Sequence, residues 1–309
     1  MKNHLSLILF LCLILNACAA QKASLAERLG HQKDTKLLII HADDLGVAHS
    51  VNAATISAFE AGMVNSGSIM VPCPWFPEIA AYSTNNPEVD LGLHLTLTAE
   101  WKNYKWDPVV PNPEVPGLVN GKGLMYDNCA DVVLNATAEE VEKEITAQVE
   151  RALAFGVNVS HLDSHMGCLF NPKFFGTYLK VARKFKLPVL IPATGLQQFP
   201  AMAEKILPTD IVIDNLFMIN PPDTEQGFAE FYTKTLRSLP SGVSEIIIHL
   251  SYDDAEMQAV TIDHPDFGAA WRQKDYDFFT SAACRKILEE ENIQLVTWGD
   301  LKELMVIEK

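Results

Sequence analysis

The chain has 309 residues, a length that α/β barrels reach as one domain, and its 48% apolar and 20% charged residues suit a globular core rather than disorder. A formal net charge of −15 argues against binding nucleic acid through its phosphates and leaves neutral or cationic substrates as the better fit. Of the six cysteines, Cys73, Cys129, Cys168 and Cys284 fall in the body of the chain with no CxxC pair. A zinc knuckle is therefore a poor reading. A disulfide is open to them in an oxidising compartment, but their spacing does not say which two would pair.

In chain order, Lys2 and the apolar run Leu5 to Leu15 read as a targeting segment too short to span a bilayer. Leu15-Asn16-Ala17-Cys18 resembles the lipobox of bacterial lipoproteins. Cys18 would then be lipidated after cleavage, and the mature protein would be exported to the periplasmic face of a membrane or to the cell surface. An ordinary secretory peptide cut at a nearby alanine is the alternative. Residues 1–18 are the signal segment, 19–35 read as a tether, and 36–309 as one domain.

Leu37-Leu38-Ile39-Ile40 reads as a buried strand that runs into His41-Ala42-Asp43-Asp44-Leu45-Gly46. Asp is disfavoured inside strands, so the pair belongs at the strand's C-terminal end, before a turn at Gly46 and a helix that Ser50 could cap. His41 reads as a lining or packing residue. Two adjacent carboxylates repel and need a cation or a shared proton, although a loop that is merely acidic is the plainer alternative. Further strands are expected at 68–71, 89–97, 157–165, 187–191, 210–216, 245–250 and 293–298, alternating with helices at 50–61, 137–155, 172–186, 225–239 and 277–291. Residues 101–135, with Trp101, Tyr104 and Trp106 among prolines and glycines, read as a long loop excursion whose aromatics either stack on sugar rings or tuck against the core.

Strands alternating with helices, with no glycine-rich phosphate fingerprint after the first, predict a closed or nearly closed (β/α) barrel of seven or eight mostly parallel strands. Asp43, Asp44, His94, His161, Asp163, His165 and His249 all fall at or just after strand ends, where such barrels carry their chemistry. Carboxylate and imidazole together suit a divalent metal with positions open to water and substrate. Taken singly, His94 is as well explained as a satisfied core histidine, and HxDxH at 161–165 as a polar turn.

Four motifs in order, His41-Ala42-Asp43-Asp44-Leu45-Gly46 with Asn52, the Gly62–Ser66 turn, Gly92-Leu93-His94-Leu95-Thr96-Leu97-Thr98 and His161-Leu162-Asp163-Ser164-His165, resemble those of the YdjC/ChbG-type carbohydrate deacetylases. The resemblance implies a distorted (β/α) barrel and metal-dependent removal of N-acetyl groups from amino sugars or short oligosaccharides. It implies Asp44, His94 and His165 as ligands of one divalent ion, Mg2+ or Zn2+. Asp43 would be the general base and His249 the proton donor to the leaving amine, with His161 and Asp163 orienting the ligands. Two departures stand out: His249 is followed by Leu250 rather than proline, and Ile191-Pro192-Ala193-Thr194 lacks the arginine of many members. Arg272 matches a family arginine but is expected to pair with Asp275 or Asp277. The expected partner is an acetylated amino sugar or oligosaccharide, with no nucleic acid, membrane contact only through the anchor, and a homodimer left open. Two other functions compete: a non-catalytic glycan-binding lipoprotein on the same barrel, or a glycoside hydrolase. The second needs two carboxyls set about 5–9 Å apart across a sugar, which adjacent Asp43 and Asp44 do poorly.

Overall fold

A computed structural model describes residues 23–307. The signal segment and Cys18 lie outside the described residues. Seven parallel strands form one sheet: β1 Lys36–Leu45, β2 Ser66–Ile69, β3 Leu91–Leu95, β4 Val159–Ser164, β5 Asn215–Met218, β6 Gly242–His249 and β7 Gln294–Leu295. Their order is β4-β3-β2-β1-β6-β5, and β7 pairs with the start of β1. The ring closes through residues 188–193. Leu190 N–H donates to Leu162 O at 2.9 Å on the β4 side, and Ala193 N–H donates to Ile213 O at 3.0 Å on the side leading into β5. The stretch expected as a strand at 187–191 makes only isolated bridges, because Pro188 and Pro192 have no N–H to give a ladder. A distorted barrel results. The barrel is further distorted where β7 peels from β1 and β2 takes over, a gap filled by Asn65, which accepts from Ile40 N–H and donates to Val296 O.

Period-2 alternation gives the barrel its interior. Leu38, Ile40, Ala42, Ile246 and Ile248 face the surrounding helices in the main apolar core, while Leu37, Ile39, Val243 and Ile247 face inward and form a second cluster with Val296, Trp298, Leu301 and Leu304. The same inward register then turns polar, with His41 and Asp43 on β1 and Glu245 and His249 on β6. The barrel thus has an apolar bottom and a polar top. The terminal helix Trp298–Ile307 belongs to the bottom, where Asp90 holds Trp298 N–H and Gly299 N–H.

Several boundaries differ from the expected ones. Within the expected tether, Leu25–Arg28 is a helix with its own capping box, and Leu25 and Ala26 are buried in the bottom cluster. The helix after β1, His49–Glu60, is not capped by Ser50: its first N–H groups are taken by Glu256, and Ser50 Oγ donates to Asp254 and Glu256. The helix expected at 277–291 is two, Ala269–Phe279 and Ala282–Glu290. No helix among the described residues is long and apolar enough to cross a membrane.

Candidate metal centre and active site

The two aspartates diverge because the strand breaks its register between them and Leu45. β1 pairs regularly with β6 through Asp43, but its pairing with β2 shifts between Ala42 and Leu45. Asp44 takes φ 69°, a left-handed conformation that costs a non-glycine residue about 1 kcal/mol and turns its carboxylate away from its neighbour's. Gly46, at φ 90°, completes the turn, and Asn52 Oδ1 accepts its N–H at 2.7 Å. Strand register does the rest: Asp43 lies opposite His249, and His94 lies opposite Asp163.

Asp44, His94 and His165 converge at the top of the barrel, all buried. Asp44 Oδ1 has no hydrogen-bond partner and stands 3.4 Å from both His94 Nε2 and His165 Nδ1. A buried carboxylate oxygen left unpaired is costly unless something else occupies its lone pairs. Each imidazole is backed by a carboxylate through its other nitrogen: His94 Nδ1 is 2.6 Å from Asp163, and His165 Nε2 is 2.9 Å from Glu100. Burial opposes charge on His165, but Glu100 and Asp44 outweigh it and raise its pKa to about 10; Asp43 and Asp163 likewise raise His94 against the effect of burial. The cluster calls for positive charge. Two imidazole nitrogens and a carboxylate oxygen are the donor set that zinc and its neighbours favour, and the backing carboxylates are what metal-bound histidines typically have.

Arg272 departs from expectation. It pairs with neither Asp275 nor Asp277 but places Nη2 2.6 Å from Asp44 Oδ2, and it lies over the Trp101 ring at 5.5 Å. Burial would raise the Asp44 pKa, yet Arg272 and His165 hold it well below the usual carboxylate range. Asp275 instead accepts Tyr232 O–H and His249 N–H, and burial lifts it to about 7.

Asp43 stands beside the triad, with Oδ2 3.7 Å from His94 Nε2 and 3.9 Å from His249 Nε2. Burial presses His249 down to about 4, so its imidazole is neutral at ordinary pH. His41 is more than a packing residue. Its Nε2 lies 3.1 Å from Asp43, 3.0 Å from Asp163 and 3.1 Å from Ser68 Oγ, and its Nδ1 meets Ser66 Oγ. Burial notwithstanding, the two carboxylates hold its pKa well above normal. His161 is set further back: its ring stacks on Trp298 at 4.9 Å, its Nδ1 meets Ser160 Oγ, and its Nε2 is 3.8 Å from Asp163. It braces the interior rather than orienting a ligand by a hydrogen bond. Gly92 is required beneath it, since a Cβ there would sit 2.4 Å from the ring.

Trp101 and Trp106 are buried in a cluster with Val47, Met70 and Met257, so these two belong to the wall of the site rather than to an exposed sugar platform. Cys129 and Cys168 form a disulfide. It joins the helix Cys129–Asn135 of the excursion to the 3-10 segment His165–Phe170, the turn that carries His165. Glu100 escaped the sequence reading, Arg272 was given the wrong partner, and the pairing of the cysteines was left open, because each contact spans a large sequence separation that no local motif announces.

The family model described as "YdjC-like protein" matches residues 37–290. A carbohydrate deacetylase of Thermus thermophilus is 30% identical over 291 residues, which cover 91% of this chain and 99% of that protein. A carbohydrate deacetylase of Brevibacillus brevis is 28% identical over 85% of this chain and 99% of its own length. A crystal structure from Enterococcus faecalis V583, of a protein named for cellobiose-phosphate cleavage, superposes with a TM-score of 0.73 at 24% identity, covering 86% of this chain and 99% of that one. That last likeness concerns the fold.

Proposed function

This chain belongs to the YdjC-like protein family, and from that premise we propose that it is a metal-dependent hydrolase removing acetyl groups, N-acetyl first, from amino sugars or short oligosaccharides. The observation that carries this reading is the unpaired Asp44 Oδ1, 3.4 Å from each of two imidazole nitrogens, with a second carboxylate alongside. Asp44, His94 and His165 would hold one divalent ion, Zn2+ suiting the two imidazoles better than Mg2+. Such an ion supplies Lewis acidity, polarising the amide carbonyl and acidifying water.

Asp43 takes the proton of the attacking water. It is aligned for this by His41 and by Ser68 O–H, which donates to its Oδ1 at 3.2 Å. His249, neutral at rest, must be loaded before it can protonate the leaving amine. Asp43 Oδ2 at 3.9 Å is the carboxylate that can pass it the proton just taken from water. Arg272 screens the negative charge of Asp44 and keeps it ionised.

The Cys129–Cys168 bond supports export to an oxidising compartment, where we place the protein as a lipoprotein anchored through Cys18. Radiolabelled palmitate should enter the native chain and not Cys18→Ser. The catalytic reading is tested by acetate release from a panel of N- and O-acetylated mono- and oligosaccharides. Release should stop with chelator and return with Zn2+. A chain that binds these sugars and the metal but frees no acetate is a glycan-binding protein instead.

A further inference from the structure

His165 is the one member of the ligand triad that no strand carries. It opens a turn in which Met166 and Gly167 take φ 54° and 69°, whereas His94 lies inside β3, where the ladder fixes its backbone. Something must choose which of the two His165 nitrogens faces Asp44. The partner in place is Glu100, whose Oε2 lies 2.9 Å from Nε2 and whose side chain is only 13% exposed.

The backbone leading into Glu100 is tied at Thr98 and Ala99. Ala99 N–H donates to Tyr126 O at 2.8 Å, Trp106 Nε1–H donates to Thr98 O at 2.9 Å, and Lys105 Nζ donates to Ala99 O at 2.7 Å. Trp106 also meets the His165 ring, at 6.3 Å between centroids. The two imidazoles are thus used through opposite nitrogens. His94 gives Nδ1 to Asp163 and turns Nε2 to Asp44, whereas His165 gives Nε2 to Glu100 and turns Nδ1 to Asp44.

We propose that Glu100 is a positioning residue for His165: its carboxylate accepts the Nε2–H bond, fixes the tautomer that leaves the Nδ1 lone pair free, and aims that lone pair at the ion. The stretch leading into the excursion is then part of the metal centre, while the excursion itself walls the cleft. The assignment rests on the metal site proposed above.

The test is Co2+ titration of the metal-free protein, followed by the visible absorption of the bound ion, with the thermal midpoint of each metal-free form measured beside it. Glu100→Ala should weaken Co2+ binding by roughly 10–100-fold, the range found when such backing partners are removed. Glu100→Gln, which keeps an oxygen acceptor, should recover most of that loss. Lys105→Ala loosens the same stretch without touching the ring, and should bind Co2+ as the native chain does. Native Co2+ affinity in Glu100→Ala overturns the proposal, and so does an equal loss in Lys105→Ala. A native chain that takes up no Co2+ brings down the metal site itself, and this assignment with it.

Discussion

Asp44 and His94 stand on strands of a closed sheet, whereas His165 stands one residue past β4 on a turn held from outside the barrel. The first pair is placed by ladder hydrogen bonds and register, which are hard to shift without breaking the core. His165, the third proposed ligand, is placed by its hydrogen bond to Glu100 and by the Cys129–Cys168 bond, which come from the excursion that starts at Trp101 and its immediate approach. A floor of fixed geometry and a wall of separate construction divide the work. The floor holds the groups proposed for the chemistry, Asp43 and His249 included, and the wall completes the proposed ligand set and bounds the cleft with Trp101 and Trp106.

The sharpest way to break that comparison is at the floor. Asp43→Asn should retain the metal and lose turnover by roughly 10²–10⁴-fold, the range of a positioned acid/base group. Metal content by atomic emission, measured with kcat on the same preparation, checks both halves. Full activity in this variant would remove Asp43 from the chemistry.

At the wall, the Cys129→Ser/Cys168→Ser double variant should lose about 4 kcal/mol of unfolding free energy, as the chain-entropy account gives for a loop of this length, the two cysteines being 39 residues apart. The urea midpoint reads it. If the turn depends on the excursion, Co2+ affinity should fall in the same variant while Asp43 and His249, borne by β1 and β6, keep their geometry. An unchanged midpoint and unchanged affinity would show that the turn stands by itself.

Most of the floor was legible in the sequence because it is written in local signals. Apolar runs ending in Asp43-Asp44, His94 and His249 mark strand ends, whereas which residues of those runs face inward came only from the structure. The expected triad of Asp44, His94 and His165 does come together. What no local pattern carries is a pairing set by tertiary distance. Arg272 is 228 residues from Asp44, and its nearer acidic neighbours Asp275 and Asp277 made the wrong partner look plausible. Glu100 follows the Gly92–Thr98 motif by two residues and precedes the 101–135 excursion, and nothing local marked its carboxylate as turned inward. His41 was misjudged for a different reason: from sequence it is one histidine on an apolar strand, and only register with β2 and proximity to β4 show its contacts with two carboxylates.

The smallest expected effect separates floor from wall by dryness. Glu245 lies inside the barrel, fully buried, with Oε2 accepting from Trp298 Nε1 at 3.1 Å and Oε1 unpaired. Burial lifts its pKa to about 8, even against the pull of a charged His41. An unfolded glutamate titrates near 4.3. Between those values the folded chain keeps a proton that the unfolded chain releases. The stability this group contributes is therefore complete below about pH 4.3 and is lost as pH rises toward 8. Over the single unit from pH 6 to pH 7 the loss is about 1.4 kcal/mol. Glu245→Gln keeps the acceptor for Trp298 and cannot ionise, so its unfolding free energy should fall less than the native chain's over that unit, by that amount. Urea unfolding of both proteins at the two pH values measures the difference directly, with Asp275 and the surface carboxylates cancelling between them. A parallel pH dependence would mean that Glu245 is already ionised in the fold, and that water reaches the interior which the floor is supposed to keep dry.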